Sequence, residues 1–144
     1  MILVLDTNAE EVFIGLWDKE RSTWLSQENF LGGRQLNSLI LEKLDKTFSH
    51  SQEGENVVDL NKTEISGLIV AAGPGSFTGL RIGISVANTI SYVRNIPIVA
   101  PSETKDAEDL LSQGLRLLEK VEPGYSNVVV PFYGADPHIT KPKS

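Results

Sequence analysis

Few side chains in this 144-residue sequence are of types and spacings that do chemistry. Asp6 is the strongest candidate. It closes the apolar run Ile2 to Leu5, and a carboxylate at the carboxyl end of a strand can hold the metal of a bound nucleotide. The residues that follow are Thr7-Asn8-Ala9-Glu10-Glu11. They offer no glycine for close approach of a phosphate, and two carboxylates would repel one. Two readings stay open: a structural carboxylate that accepts bonds from turn amides, or a residual nucleotide or metal site. The histidines, His50 and His138, lie far apart, and there is no cysteine. A His-x-x-x-His pair and a thiolate metal site are therefore absent from the sequence. No local motif suggests a Ser–His–Asp arrangement. The expectation is a chain with no catalytic residue, no metal and no cofactor.

The stretch with the most information is Ala72-Gly73-Pro74-Gly75-Ser76-Phe77-Thr78-Gly79-Leu80-Arg81-Ile82-Gly83. It follows a strand-like run and opens a helical one. The glycines flanking Pro74 permit a sharp turn. Ser76 or Thr78 can cap the helix, and the free N–H groups there can hold an anion. No Gly-Lys-Ser/Thr follows, so it is not a nucleotide-binding P-loop. Gly79, Gly83, Ala87 and Ser91 then recur four apart and share one helix face. Glycine inside a helix is unfavourable by about 0.5–1 kcal/mol relative to alanine, so another backbone should approach closely there. That backbone belongs either to this chain's own sheet or first helix, or to another protein. In the second case Ile82, Val86, Ile90 and Val93 face the chain's own core.

The elements that position these residues can be read from the apolar pattern. Ile2 to Leu5, without polar alternation, predicts a strand buried on both faces. Val12 to Leu16 and Ser22 to Phe30 predict two more strands in an antiparallel meander. After Gly32-Gly33, residues Leu36, Leu39, Ile40, Leu44 and Phe48 recur at helical spacing. Residues 49–62 read as a polar loop anchored by Val57, Val58 and Leu60. Gly67 to Ala72 is a buried strand, a second helix runs from Thr78 or Gly79 to Val93, and Ile98 to Ala100 is a fifth strand. Ser102 is the expected cap of a third helix with Ala107, Leu110, Leu111, Leu115 and Leu118 on its apolar face. Val128 to Phe132 reads as a last strand, and residues 134–144 as a polar tail. The order β-β-β-α-β-α-β-α predicts an α/β fold, one mixed five-stranded sheet flanked by helices. This is the pattern of a single actin-like, ribonuclease-H-like domain over residues 1–133.

Composition narrows the class. Forty per cent hydrophobic residues support a core, and no apolar run reaches the roughly 20 residues of a membrane helix. The absence of cysteine suits a cytoplasmic protein, and Met1 to Asp6 carries no basic leader. The formal net charge is −6, and the few basic residues are scattered. Autonomous nucleic-acid binding is not expected from such a surface.

The string Gly73-Pro74-Gly75-Ser76-Phe77-Thr78-Gly79-Leu80-Arg81-Ile82-Gly83, in its strand–turn–helix setting, closely resembles the signature of the bacterial TsaB (YeaZ) family. The Asp6-Thr7 strand end and Ile96-Pro97-Ile98-Val99 resemble that family as well, and the resemblance covers about residues 1 to 105. It implies an actin-like fold and a non-catalytic partner of the TsaD enzyme. The ATPase TsaE is a third member, and together they make threonylcarbamoyl-adenosine beside the tRNA anticodon. It also implies that the pairing surface comes from the first two helices, here about 33–48 and 79–93. The expected partner-binding residues are Leu36, Leu39, Ile40, Lys43, Gly79, Gly83, Ala87, Ile90 and Ser91, with Gly73, Pro74, Gly75, Ser76 and Thr78 as structural turn and cap. The expected partners are a TsaD-like enzyme as a heterodimer, a TsaE-like ATPase, a second copy of the chain, and tRNA only indirectly. Two departures from the family are expected: a chain too short for the usual second actin-like domain, and Gln35 where a His is common. The alternative is a degenerate actin-like nucleotide-binding or small-molecule kinase domain. A module that pairs with its own copy is a third reading.

Overall fold

The computed structural model describes residues 1–50, 64–125 and 128–133. The expected loop over 49–62 falls almost entirely outside the described residues, and His138 and the 134–144 tail lie wholly outside them. Five strands form one sheet: β1 (Ile2–Asp6), β2 (Glu11–Asp18), β3 (Thr23–Leu31), β4 (Gly67–Val70) and β5 (Ile98–Val99). Their spatial order is β3-β2-β1-β4-β5. The meander pairs antiparallel and β1, β4 and β5 pair parallel. A single 3-10 turn, Gly33–Gln35, leads into α1 (Leu36–His50). The other helices are α2 (Phe77–Arg94) and α3 (Ala107–Leu118). The sequence therefore predicts the element order and sheet class that the fold adopts.

Both faces of the sheet are covered, which is why β1 shows no polar alternation. Successive side chains of a strand point to opposite faces. Leu3 and Leu5 accordingly join Ile14, Leu16, Leu68 and Val70 beneath Leu36, Ile40 and Leu44 of α1 and Ile84 and Ala87 of α2. Ile2 and Val4 join Phe13, Ile69, Ala71 and Val99 beneath Leu110 and Leu111 of α3. On that second face Trp17, Trp24 and Phe13 pack edge to face. The Trp24 indole N–H donates to Glu108 of α3 at 2.8 Å, tying the meander to the last helix.

Two local expectations are corrected. The cap of α3 is Asp106, whose carboxylate accepts from the Asp109 N–H at 2.8 Å, and not Ser102. Glu103 sits at φ +58, a conformation that stops a helix from starting at Ser102. The described part of the segment Val128 to Phe132 adds no strand to the sheet. Pro131 removes one donor, and the neighbouring amides bond elsewhere. The Val129 N–H donates to the Asn88 side chain at 2.9 Å, and the Phe132 N–H donates to the Ala72 carbonyl at 2.7 Å.

Candidate functional site

The signature string builds the junction between β4, α2 and the exit of β1. The Ser76 N–H donates to the Asn8 carbonyl at 2.6 Å, drawing the turn onto the residues after β1. A side chain at Gly75 would collide with Asn8. Ser76, not Thr78, is the N-cap, its hydroxyl accepting from the Gly79 N–H at a long 3.4 Å.

Thr7, fully buried, is the counterpart of the small-residue stripe. Its hydroxyl donates to the Gly79 carbonyl at 2.7 Å. A Cβ on Gly79 would stand 2.5 Å from the Thr7 carbonyl oxygen, and a Cβ on Gly83 would overlap the Thr7 side chain. Ala87 lies in the core, and the buried Ser91 hydroxyl donates to the Ile96 carbonyl at 2.6 Å. The close approach that the glycines permit is thus to Thr7, the residue just after β1 of the same chain, by its backbone at Gly79 and by its side chain at Gly83.

The expectation that this stripe faces a partner is corrected. Six of the nine residues expected there are buried: Leu36, Ile40, Gly79, Gly83, Ala87 and Ser91. Leu39 and Ile90 are half-buried, Ile90 against the core. Lys43 is engaged within the chain, its ammonium 2.9 Å from Glu28 and over the Phe30 ring. Ile82 and Val86 are half-buried against the core although the stripe faces inward, whereas Val93 is 71% exposed.

The open ridge of α2 is a different one. Thr78, Ser85, Thr89 and Val93 are exposed and share the outer face by helical spacing. On its flank lie Phe77 and Arg81 of the signature string, with Asn88 and Tyr92, none of them among the expected partner-binding residues. The Asn88 amide pairs with the peptide group of Val129, donating to its carbonyl and accepting from its N–H, each at 2.9 Å. Tyr125 meets Tyr92 edge to face and Tyr133 stacks on Phe77. The Tyr125 N–H donates to the side chain of Asn95 at the C-cap of α2. Residues 128–133, with Tyr125 ahead of them, therefore lie along α2 from its end to its start.

Asp6 stands at the carboxyl end of β1, where its carboxylate has a partner within the chain. It accepts from the Asn8 N–H at 2.9 Å, an Asx turn that closes the strand. Burial pushes its carboxyl above the ordinary range, and the Asn8 bond partly offsets this. Among the described residues no group of three or more His, Asp or Glu side chains converges as a metal site would need. No helix among them is long and apolar enough to cross a membrane.

Residues 36–104, from the first turn of α1 to just beyond β5, match the family model "TsaD: tRNA N6-adenosine threonylcarbamoyltransferase". The chain is 30% identical over 98 residues to the tRNA threonylcarbamoyladenosine biosynthesis protein TsaB of Haemophilus influenzae, covering 68% of this chain and 37% of that protein. It is 45% identical over 47 residues to the protein of the same name from Bacillus subtilis, covering 33% and 20%. The chain thus spans well under half the length of these curated relatives. Among solved structures, YeaZ from Pseudomonas aeruginosa matches at a TM-score of 0.57 and 24% identity, over 70% of this chain and 43% of that one, a likeness of fold.

Proposed function

The chain belongs to the TsaB (YeaZ) family over the segment that it shares with these relatives, and from that premise we propose that it is a non-catalytic subunit that docks on and activates a TsaD-like enzyme in threonylcarbamoyl transfer to tRNA. The docking element in this reading is the outer ridge of α2 beside α1. The observation that carries it is the division of α2 into two faces. The glycine face sits flush on Thr7 at the exit of β1, and the opposite face leaves Thr78, Ser85, Thr89 and Val93 open to solvent. Short side chains on an open ridge let a second helix approach closely. The signature string supports the same reading, since its turn and cap are occupied by contacts to Asn8 and Thr7 within the chain.

The basic groups needed to hold tRNA come from the partner in this reading, because the net charge of the chain is −6. Calorimetric titration of the chain with the TsaD-like enzyme from the same cell tests it. The expected result is a saturable complex of roughly micromolar affinity or tighter, and faster threonylcarbamoyl transfer when the chain is added. Binding of magnesium-ATP with no response to the enzyme would instead favour the kinase-like alternative.

A further inference from the structure

We propose that the docking surface extends from α2 onto residues 128–133, and that it selects a partner face that is apolar with a carboxylate opposite Arg81. This rests on the docking role proposed above and names a second element and a charge preference for it. Eleven large apolar side chains are exposed among the described residues. Eight belong to α2 or to the segment laid along it: Phe77, Tyr92, Val93, Tyr125, Val128, Val130, Phe132 and Tyr133. Such concentration marks an interaction site, where scattered exposed residues would not. Val128 and Val130 are 61% and 70% exposed, while Val129 between them is half-buried and clamped by Asn88. The segment thus turns one apolar edge to α2 and the other outward, continuous with Tyr92 and Phe77.

Charge identifies the occupant. The chain carries 19 acidic and 13 basic side chains, yet residues 65–102 and 123–135 contain no Asp or Glu. Arg81 and Arg94 are the only charged side chains in these two stretches. The Arg81 guanidinium lies over the Phe77 ring, 5.1 Å from its centre, inside the apolar surface. A planar guanidinium held this way is set for a bidentate bond to a carboxylate. Within these two stretches a second copy offers Arg81 no carboxylate; its acidic groups come only from flanking elements, such as Glu42 of α1 and Glu103 beside Gly73. Two arginines also fall short of the basic stripe that nucleic acid requires. The occupant that these observations favour is a different protein, presenting an apolar face with an acidic group directly opposite Arg81.

The test uses the full chain and the purified TsaD-like enzyme from the same cell. Val130→Asp and Arg81→Glu alter exposed side chains, and Leu117→Asp on α3 is a control away from the surface. Thermal unfolding of each variant confirms the fold. Val130→Asp and Arg81→Glu are each expected to weaken binding by at least about tenfold, with the Arg81→Glu loss shrinking at high salt and Leu117→Asp unchanged. Wild-type binding with both variants as tight as wild type would overturn this inference and leave the docking role standing. No binding by the wild-type chain would overturn both.

Discussion

Replacing Gly83 with alanine separates the two roles that a small-residue helix face can have. On an exposed helix the change should stabilise by about 1 kcal/mol, because alanine is the better helix former. Here the new methyl group would overlap Thr7, which is fully buried and donates to the Gly79 carbonyl at 2.7 Å. Forcing an extra carbon into packed space costs about 1–3 kcal/mol. Turning the Thr7 hydroxyl away leaves a buried donor unpaired, about 1–3 kcal/mol more. Subtracting the propensity gain leaves a net loss near 3 kcal/mol, on the order of 6–12 °C in melting temperature for a chain of this size. Urea unfolding of Gly83→Ala, Thr7→Ala and the double variant provides the assay. The double variant should lose less than the sum of the two single losses, because removing Oγ1 and Cγ2 of Thr7 relieves the overlap. A Gly83→Ala chain as stable as wild type or more so, with additive losses in the cycle, would refute the packing of α2 on β1.

The carboxyl of Asp6 titrates above its ordinary range because it is buried, so charging it opposes folding. Its contribution is most favourable below the unfolded value near 3.8 and is lost as pH rises through the folded value. Asp6→Asn keeps an oxygen for the Asn8 N–H, so it should raise the melting temperature at pH 7 and match wild type near pH 3, as thermal scans across pH will show. The two helix caps differ in length, 2.8 Å at Asp106 and 3.4 Å at Ser76. Asp106→Ala should therefore cost about 1 kcal/mol in urea unfolding and Ser76→Ala distinctly less. Asn88→Ala removes both bonds to Val129 and should speed hydrogen exchange at the Val129 and Phe132 amides while leaving β1 protected.

The fold was legible because its signals are collective. Uninterrupted apolar runs at β1 and β4 require helices on both faces, and Leu36, Ile40 and Leu44 fix the inner side of α1. The direction of the α2 stripe was not legible. Glycine and alanine four apart announce a close backbone without saying whose, and its owner, Thr7, lies 76 residues before Gly83 in sequence. Ser102 and Asp106 are both good caps by residue type, and only the positive φ of Glu103 separates them. The Val128 to Phe132 run has strand composition, but Pro131 and the Asn88 clamp lay it along a helix. A signal for the outer surface was present in the sequence: the absence of any acidic residue from 65 to 102 in an acidic chain. It tells which stretch is unusual, and the structure is needed to bring that stretch beside residues 128–133.

The central claim is that the outward ridge of α2 meets the partner while its inward face is spent on β1. Ser85 is exposed at the middle of that ridge. The affinity of Ser85→Arg for the TsaD-like enzyme, measured beside its melting temperature, tests the claim most directly. The account predicts an unchanged melting temperature and binding weakened by about a hundredfold or lost, since a long charged side chain would hold the two helices apart. Wild-type affinity in this variant would contradict it.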